Sequence, residues 1–277
     1  MSLKFWHQPK RFLLLYLCLL YLFAVWRVVG PNFVSHELGR ALALLAGFGL
    51  PHFVGILVWK NKPSLENIFI VSLIILLLAN HQTGFFAMFI LGLLTALIKT
   101  IFRLHHQPIF NPAAAGLFAA SFLGVTTTWW GVSFSPRLPF YSISAAMLLT
   151  VPAGLYLIWL YKRIPTLLTV TLSFLVVYFL LKGTFPVLTV LEGTFAFFLF
   201  VMAIEPKTTP VVDKQEWLYG TVLGSGIAFL YVVRLVGSPY LVVLLSANLL
   251  FSLYLVLLNY FSRVPKEVAQ DKNKNTK

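Results

Sequence analysis

The chain has 277 residues, of which 59% are hydrophobic, 16% aromatic and only 10% charged, with a mean hydropathy of +0.87. A soluble domain carries about 25% charged residues, so this composition excludes a water-facing globule and makes a bilayer the solvent. The net charge of +13 does not indicate nucleic acid, because the basic residues lie between apolar runs, and the single cysteine excludes an intramolecular disulfide or a cysteine-based metal cage.

A bilayer-crossing helix needs roughly 20 mostly apolar residues. The hydropathy pattern predicts ten such segments, 12–29, 40–58, 66–80, 84–102, 112–130, 143–160, 165–182, 187–204, 217–236 and 239–260. The first follows Lys4, Lys10 and Arg11 and lacks a small-residue cleavage site, so it reads as an uncleaved span. Arg27 and Arg40 flank the first outer loop and are expected to snorkel. Pro51 and His52 interrupt the second segment, and the third is short. The run Asn80-His81-Gln82-Thr83-Gly84 separates the third from the fourth by turn chemistry.

The fifth segment opens on LHHQPIFNPAAAGLFAASF, residues 104–122. Asn111 followed by Pro112 is a helix start: a side-chain acceptor at the cap, then a proline whose missing N–H costs nothing in the first turn. Ala113, Ala114, Ala115 and Gly116 then give a thin waist that lets a helix or a flat ligand approach closely. Two readings are open here: a capped helix with a small-residue packing face, or a mouth receiving the edge of a flavin or quinone. Thr126, Thr127 and Thr128 close the segment, satisfying backbone groups or bonding a ring system. Trp129 and Trp130 are expected at the outer membrane interface and Trp217 at the inner one. His36, His52, His81, His105 and His106 show no spacing that suits haem.

Glu192 lies inside the eighth segment, where a carboxylate is costly; pairing with Lys182 and a functional role are both open. That segment ends on a second polar mouth, Ala203-Ile204-Glu205-Pro206-Lys207-Thr208-Thr209-Pro210. Pro206 stops the helix and the threonines can bond freed backbone groups.

Placing the N-terminus, the even-numbered loops and the C-terminus on one side puts 16 basic residues there and five on the other. Basic residues are retained on the cytoplasmic side, so both termini are expected inside the cytoplasmic (inner) membrane. The fold class expected is an all-α polytopic membrane protein of about ten transmembrane helices. Residues 1–264 form one transmembrane domain, built as an inverted repeat of five plus five helices over about 1–130 and 131–264, and 265–277 form a disordered cytoplasmic tail. Two echoes carry the repeat: NHQTG after the third segment against EPKTTP after the eighth, and Arg103-Leu104 against Arg234-Leu235, each followed by an X-Pro pair.

QPIFNPAAAGL, TTWWG, GTFAFFLFVMAIEPKTTP and GSPYLVVLLSANLL occur in this order. Together they resemble the RnfD/NqrB family of membrane proteins, which belong to the Rnf electron-transport complex and the sodium-pumping NADH:quinone reductase, over roughly residues 60–260. The resemblance implies a pseudo-symmetric ten-helix bundle that holds flavin, passes electrons and works beside other membrane redox subunits or a flavoprotein. Phe110, Asn111 and Pro112 match the first motif, Glu205, Thr208 and Thr209 the second, and Asn248 an asparagine of the last span. With Thr127 and Thr128 these are the cofactor-binding candidates. Family members carrying covalent FMN hold it on an S/T-G-A-T threonine, and no such string occurs here. A covalent FMN is therefore not expected; non-covalent FMN or riboflavin, another redox group, or a loss of redox chemistry stay open, and haem is not expected.

No nucleophile, paired carboxylates or metal cluster stands out, so no residue is assigned a catalytic role. The leading expectation is a membrane subunit of an Rnf/Nqr-like electron-transport system holding a flavin or quinone, in which the cofactor does the chemistry and electron flow is coupled to cation transport. The alternatives are a small-solute or cation transporter or channel lined by Glu192, Asn111 and Asn248, and a membrane accessory protein with neither activity.

Overall fold

The computed structural model describes residues 8–29, 34–59, 64–104, 107–133, 140–190, 192–205, 208–210, 213–234 and 237–274. In chain order the helices are α1 (Pro9–Ala24, continued by a π-helical turn Val25–Val29), α2 (Val34–Trp59), α3 (Leu65–Leu78), α4 (Phe85–Ile101), α5 (Pro112–Ser121), α6 (Phe140–Tyr161), α7 (Ile164–Lys182), α8 (Val187–Val190), α9 (Gly193–Phe197, continued by a π-helical turn Phe198–Met202), α10 (Asp213–Val233) and α11 (Pro239–Lys274). A two-residue hairpin pairs β1 (Arg103–Leu104) with β2 (Gln107–Pro108) ahead of α5. Among the described residues, four stretches, Pro9–Arg27, Ile164–Lys182, Lys214–Val233 and Pro239–Leu258, are long and apolar enough to cross a membrane. Leu22, Phe86, Leu180 and Leu250 are exposed on the helix surfaces. An apolar exterior of this kind suits lipid rather than water. The chain is thus an all-α protein built for a bilayer.

The packing follows a pattern in each half of the sequence. α1 packs on α3, α2 on α4, and α4 on α5; later in the chain α6 packs on α9, α7 on α10, and α10 on α11. α1 meets α6 and α5 meets α11 where the two halves join. Glycines make the α2–α4 and α7–α10 contacts close. A Cβ on Gly47 would lie 2.0 Å from the Phe89 carbonyl oxygen, and one on Gly92 2.3 Å from that of Leu44. On the other pair, a Cβ on Gly224 would lie 2.2 Å from the Val170 carbonyl oxygen. Small residues let helix backbones approach in just this way where no hydrophobic effect drives them together.

Two segments depart from the expected single helices. The fifth, expected over 112–130, is helical only over Pro112–Ser121. It then turns at Gly124, whose φ of +82° glycine adopts without strain, and runs extended. The extended run lies along the end of α3: Thr126 O accepts from Asn80 N at 3.0 Å, and Thr128 N and Gly131 N donate to Leu78 O and Leu77 O, each at 3.0 Å. An extended run among apolar helices must find partners for its backbone polar groups, and here α3 supplies them. The eighth segment, expected over 187–204, is broken at Glu192 between α8 and α9 and closes with a π-helical turn.

Two further expectations are corrected. Arg40 does not snorkel; it is fully buried. Trp129 and Trp130 are buried inside the bundle rather than facing headgroups, and the Trp130 indole N–H donates to Leu76 O at 2.8 Å. α11 is helical from Pro239 to Lys274. Trp217, by contrast, is exposed near the start of α10, as an interfacial indole would be. His105, His106 and Pro206 lie outside the described residues.

Candidate functional site

Asn111 caps α5 as its sequence requires: its Oδ1 accepts from Ala114 N at 3.0 Å, and Pro112 takes the first helical position. The residues after it pack tightly. A Cβ on Gly116 would lie 1.9 Å from Thr95 Oγ1 on α4, which explains the small-residue waist. The capping asparagine is itself buried, so the start of α5 is held inside the bundle.

The second mouth folds into a tight turn. Thr208 N and Thr209 N donate to Glu205 O at 3.2 and 3.1 Å, Thr208 Oγ1 lies 3.4 Å from Glu205 Oε2, and Thr209 Oγ1 donates to Ala203 O at 3.0 Å. The threonines thus satisfy the end of the preceding helix, as side-chain hydroxyls do where a helix stops. Arg163 secures the turn from outside. It donates to the carbonyls of Thr209 and Pro210 and to the Glu216 carboxylate, while Thr166 Oγ1 bonds the other Glu216 oxygen at 3.2 Å.

The two mouths meet. Asn111 and Pro112 line the same cavity as Glu205, together with Lys10, Asn67, Lys99 and Tyr161. The cavity holds about 60 Å³, with Ile70, Ile74 and Phe200 among its apolar walls. At the roughly 10–15 Å³ that one water needs, this is room for about four to six waters. It therefore admits the edge of a ring system or a polar headgroup, not an entire tricyclic ring. Two ammonium groups and one carboxylate around it favour a ligand edge of net negative charge.

The other candidates lie elsewhere. Phe110 is half-buried against Phe102, with ring centroids 5.8 Å apart. Asn248 is fully buried between α10 and α11, where its Oδ1 accepts from the Tyr219 hydroxyl. Its Nδ2 has no partner among the described residues. Thr127 lines a second cavity at the opposite end of α5, with Ser121, Thr126 and Ser238. Thr128 is exposed. Glu192 is half-buried at the break between α8 and α9 and forms no ion pair with the exposed Lys182. No group of three metal-ligating side chains occurs among the described residues.

Lys10, Asn67, Lys99 and Tyr161 escaped the sequence reading. Lys10 and Lys99 carry the charge bias that orients the chain, and that role masks the second one. A basic side chain in the last turn of a helix, such as Lys99 in α4, was the available signal.

Arg40 forms a second buried cluster. Its Nη1 donates to Glu37 Oε1 and Oε2 at 2.6 and 2.7 Å, and its Nη2 donates to Asn80 O at 2.7 Å. Tyr21 OH adds a bond to Glu37 Oε2 at 3.1 Å. Arg40 thus holds the turn after α3, and Arg163 the turn after α9. Met88 lies 3.9 Å from Arg40, near the start of α4, as Glu216 lies beside Arg163 near the start of α10. In both arginines the Nε has no partner among the described residues.

No protein-family model matches this chain, and no curated protein matches it.

Proposed function

We propose that this chain is an integral membrane subunit of an electron-transport system of the Rnf/Nqr type, holding a non-covalent flavin or a quinone by its edge. One observation carries the reading: the IFNPAA motif and the acidic mouth, about 90 residues apart in sequence, line one cavity through Asn111, Pro112 and Glu205. In the family that these motifs resemble, the pair belongs to a flavin-bearing bundle. Lys10 and Lys99 in the same lining suit the carbonyl oxygens at the edge of a flavin or quinone ring, where negative charge builds on reduction. The chain's own residues would bind and orient the ring and exclude water; the flavin supplies the redox chemistry.

The reading includes ten crossings with both termini in the cytoplasm and an inverted five-plus-five repeat. The matching helix pairs, the close glycine contacts of α2–α4 and α7–α10, and the like roles of Arg40 and Arg163 support the repeat. Other membrane redox subunits or a flavoprotein would be its partners.

The test is a visible absorption spectrum of the protein purified in detergent, repeated on the supernatant after acid precipitation. A flavin spectrum released into the supernatant is expected. A colourless protein that also fails to take up added FMN would sink the redox reading.

A second reading, transport of a small solute or cation, is favoured by the broken eighth segment and its half-buried Glu192. A colourless protein that makes liposomes permeable would support it.

A further inference from the structure

The second cavity sits at the Ser121 end of α5, beside the start of α11, and holds about 390 Å³. That falls within the roughly 300–1,000 Å³ of small-molecule sites. Its floor is apolar, with Leu117 and Leu241, and four hydroxyl side chains, Ser121, Thr126, Thr127 and Ser238, face it across the gap between the two halves of the chain. No ionisable side chain is among the described residues that line it.

The hydroxyls have a defined polarity. Ser238 Oγ accepts from the Trp129 indole N–H at 3.4 Å, and Thr126 Oγ1 accepts from Asn80 Nδ2 at 3.3 Å. A hydroxyl that has accepted a bond keeps its own proton to donate. Ser121 Oγ donates to Phe118 O at 2.7 Å, so it offers the cavity lone pairs only. The wall is preformed, because the run that carries Thr126 and Thr127 is bonded along the end of α3, and Arg40 holds Asn80 in place. A preformed wall lowers the ordering cost of binding.

We propose that this cavity is a ligand site in its own right, for a neutral ring compound bearing carbonyl or ether oxygens. These two hydroxyl protons, which have no acceptor among the described residues, call for acceptor oxygens on the ligand. With no charged group among the described residues of the lining, an ion is disfavoured, since none of them would offset its desolvation. The apolar floor takes the hydrocarbon part of the ring. The site is separate from the first cavity: α5 has ten residues, which at about 1.5 Å each puts its two ends about 15 Å apart. It therefore stands or falls independently of the flavin reading.

Three probes of similar size test it, with the full chain in lipid nanodiscs and empty nanodiscs subtracted: 1-tetralone, naphthalene and 1-naphthoate. Binding is read by saturation-transfer NMR titration. Saturable binding of the ketone is expected, with naphthalene weaker by about three- to tenfold and the anion not binding. Ser238→Ala and Thr126→Val should each weaken the ketone by about three- to tenfold, the worth of one hydrogen bond. Thr126→Ser should restore it, and Gly49→Ala on α2, outside the lining and with open space where the methyl goes, should leave it unchanged. Equal binding of ketone and naphthalene would mean a greasy crevice and overturn the proposal. So would ketone binding indifferent to both hydroxyl deletions in variants whose thermal unfolding is unchanged, or no saturable ketone binding at all.

Discussion

Arg163, at the start of α7, donates to the carboxylate of Glu216, near the start of α10, and both side chains are buried. Removing one partner of a buried ion pair leaves an uncompensated charge, at a cost of about 3–5 kcal/mol. Glu216→Gln is therefore expected to lower stability by that order. Because Arg163 also holds the Thr209 and Pro210 carbonyls, replacing both partners with Met should recover only part of the loss. Unfolding in mixed SDS–detergent micelles measures each variant, and a double variant less stable than either single one would contradict the argument.

The α2–α4 contact gives the second prediction. Gly47 and Gly92 each face the backbone of the opposite helix with no room for a methyl group. Gly47→Ala should force the helices apart and cost about 1–3 kcal/mol. Gly49, two residues on, has nothing within 4 Å of the place a Cβ would take, so Gly49→Ala should be neutral or slightly stabilising through helix propensity. The same unfolding assay compares the two.

Asn111 has two roles that different substitutions separate. Asn111→Ala removes the cap of α5 and should cost about 1 kcal/mol, whereas Asn111→Asp keeps the acceptor and much of the cap. If the first cavity holds an anionic flavin edge, Asn111→Asp brings a negative charge beside it and should release flavin while the helix stays capped. The measurements are the thermal unfolding midpoint and the flavin-to-protein absorbance ratio of each variant.

Orientation is tested with fluorescent-protein fusions. A fusion at either end of the chain should fluoresce in the cytoplasm, because the proposed even number of crossings returns the chain to its starting side. A dark fusion at one end with a bright one at the other would require an odd number of crossings.

The positions of the helices were legible because lipid demands long apolar runs, and turn residues such as Asn80 to Gly84 punctuate them. The Asn111 cap and its proline were legible for a local reason: the bond spans three residues. The meeting of Asn111 with Glu205 rests on tertiary packing, and hydropathy alone carries no trace of it. Arg40 misled for a related reason. Near a span end an arginine reads as snorkelling, and only its partners, Glu37 one turn back and Asn80 forty residues on, reveal that it is buried. The truncation of α5 was hidden because Phe122 to Val125 stay apolar enough to pass for helix, while Gly124 gave the one hint of a turn.

α5 bears on how the chain is made. A ten-residue apolar helix is too short to be taken into lipid as a span by its own hydrophobicity. The extended run after it finds its backbone partners on α3, which emerges earlier from the ribosome, whereas its neighbour α11 emerges more than a hundred residues later. If these segments cross the bilayer as proposed, α5 settles into place only after α11 has been made, and a chain truncated before Pro239 would leave it at the membrane surface, open to proteolysis.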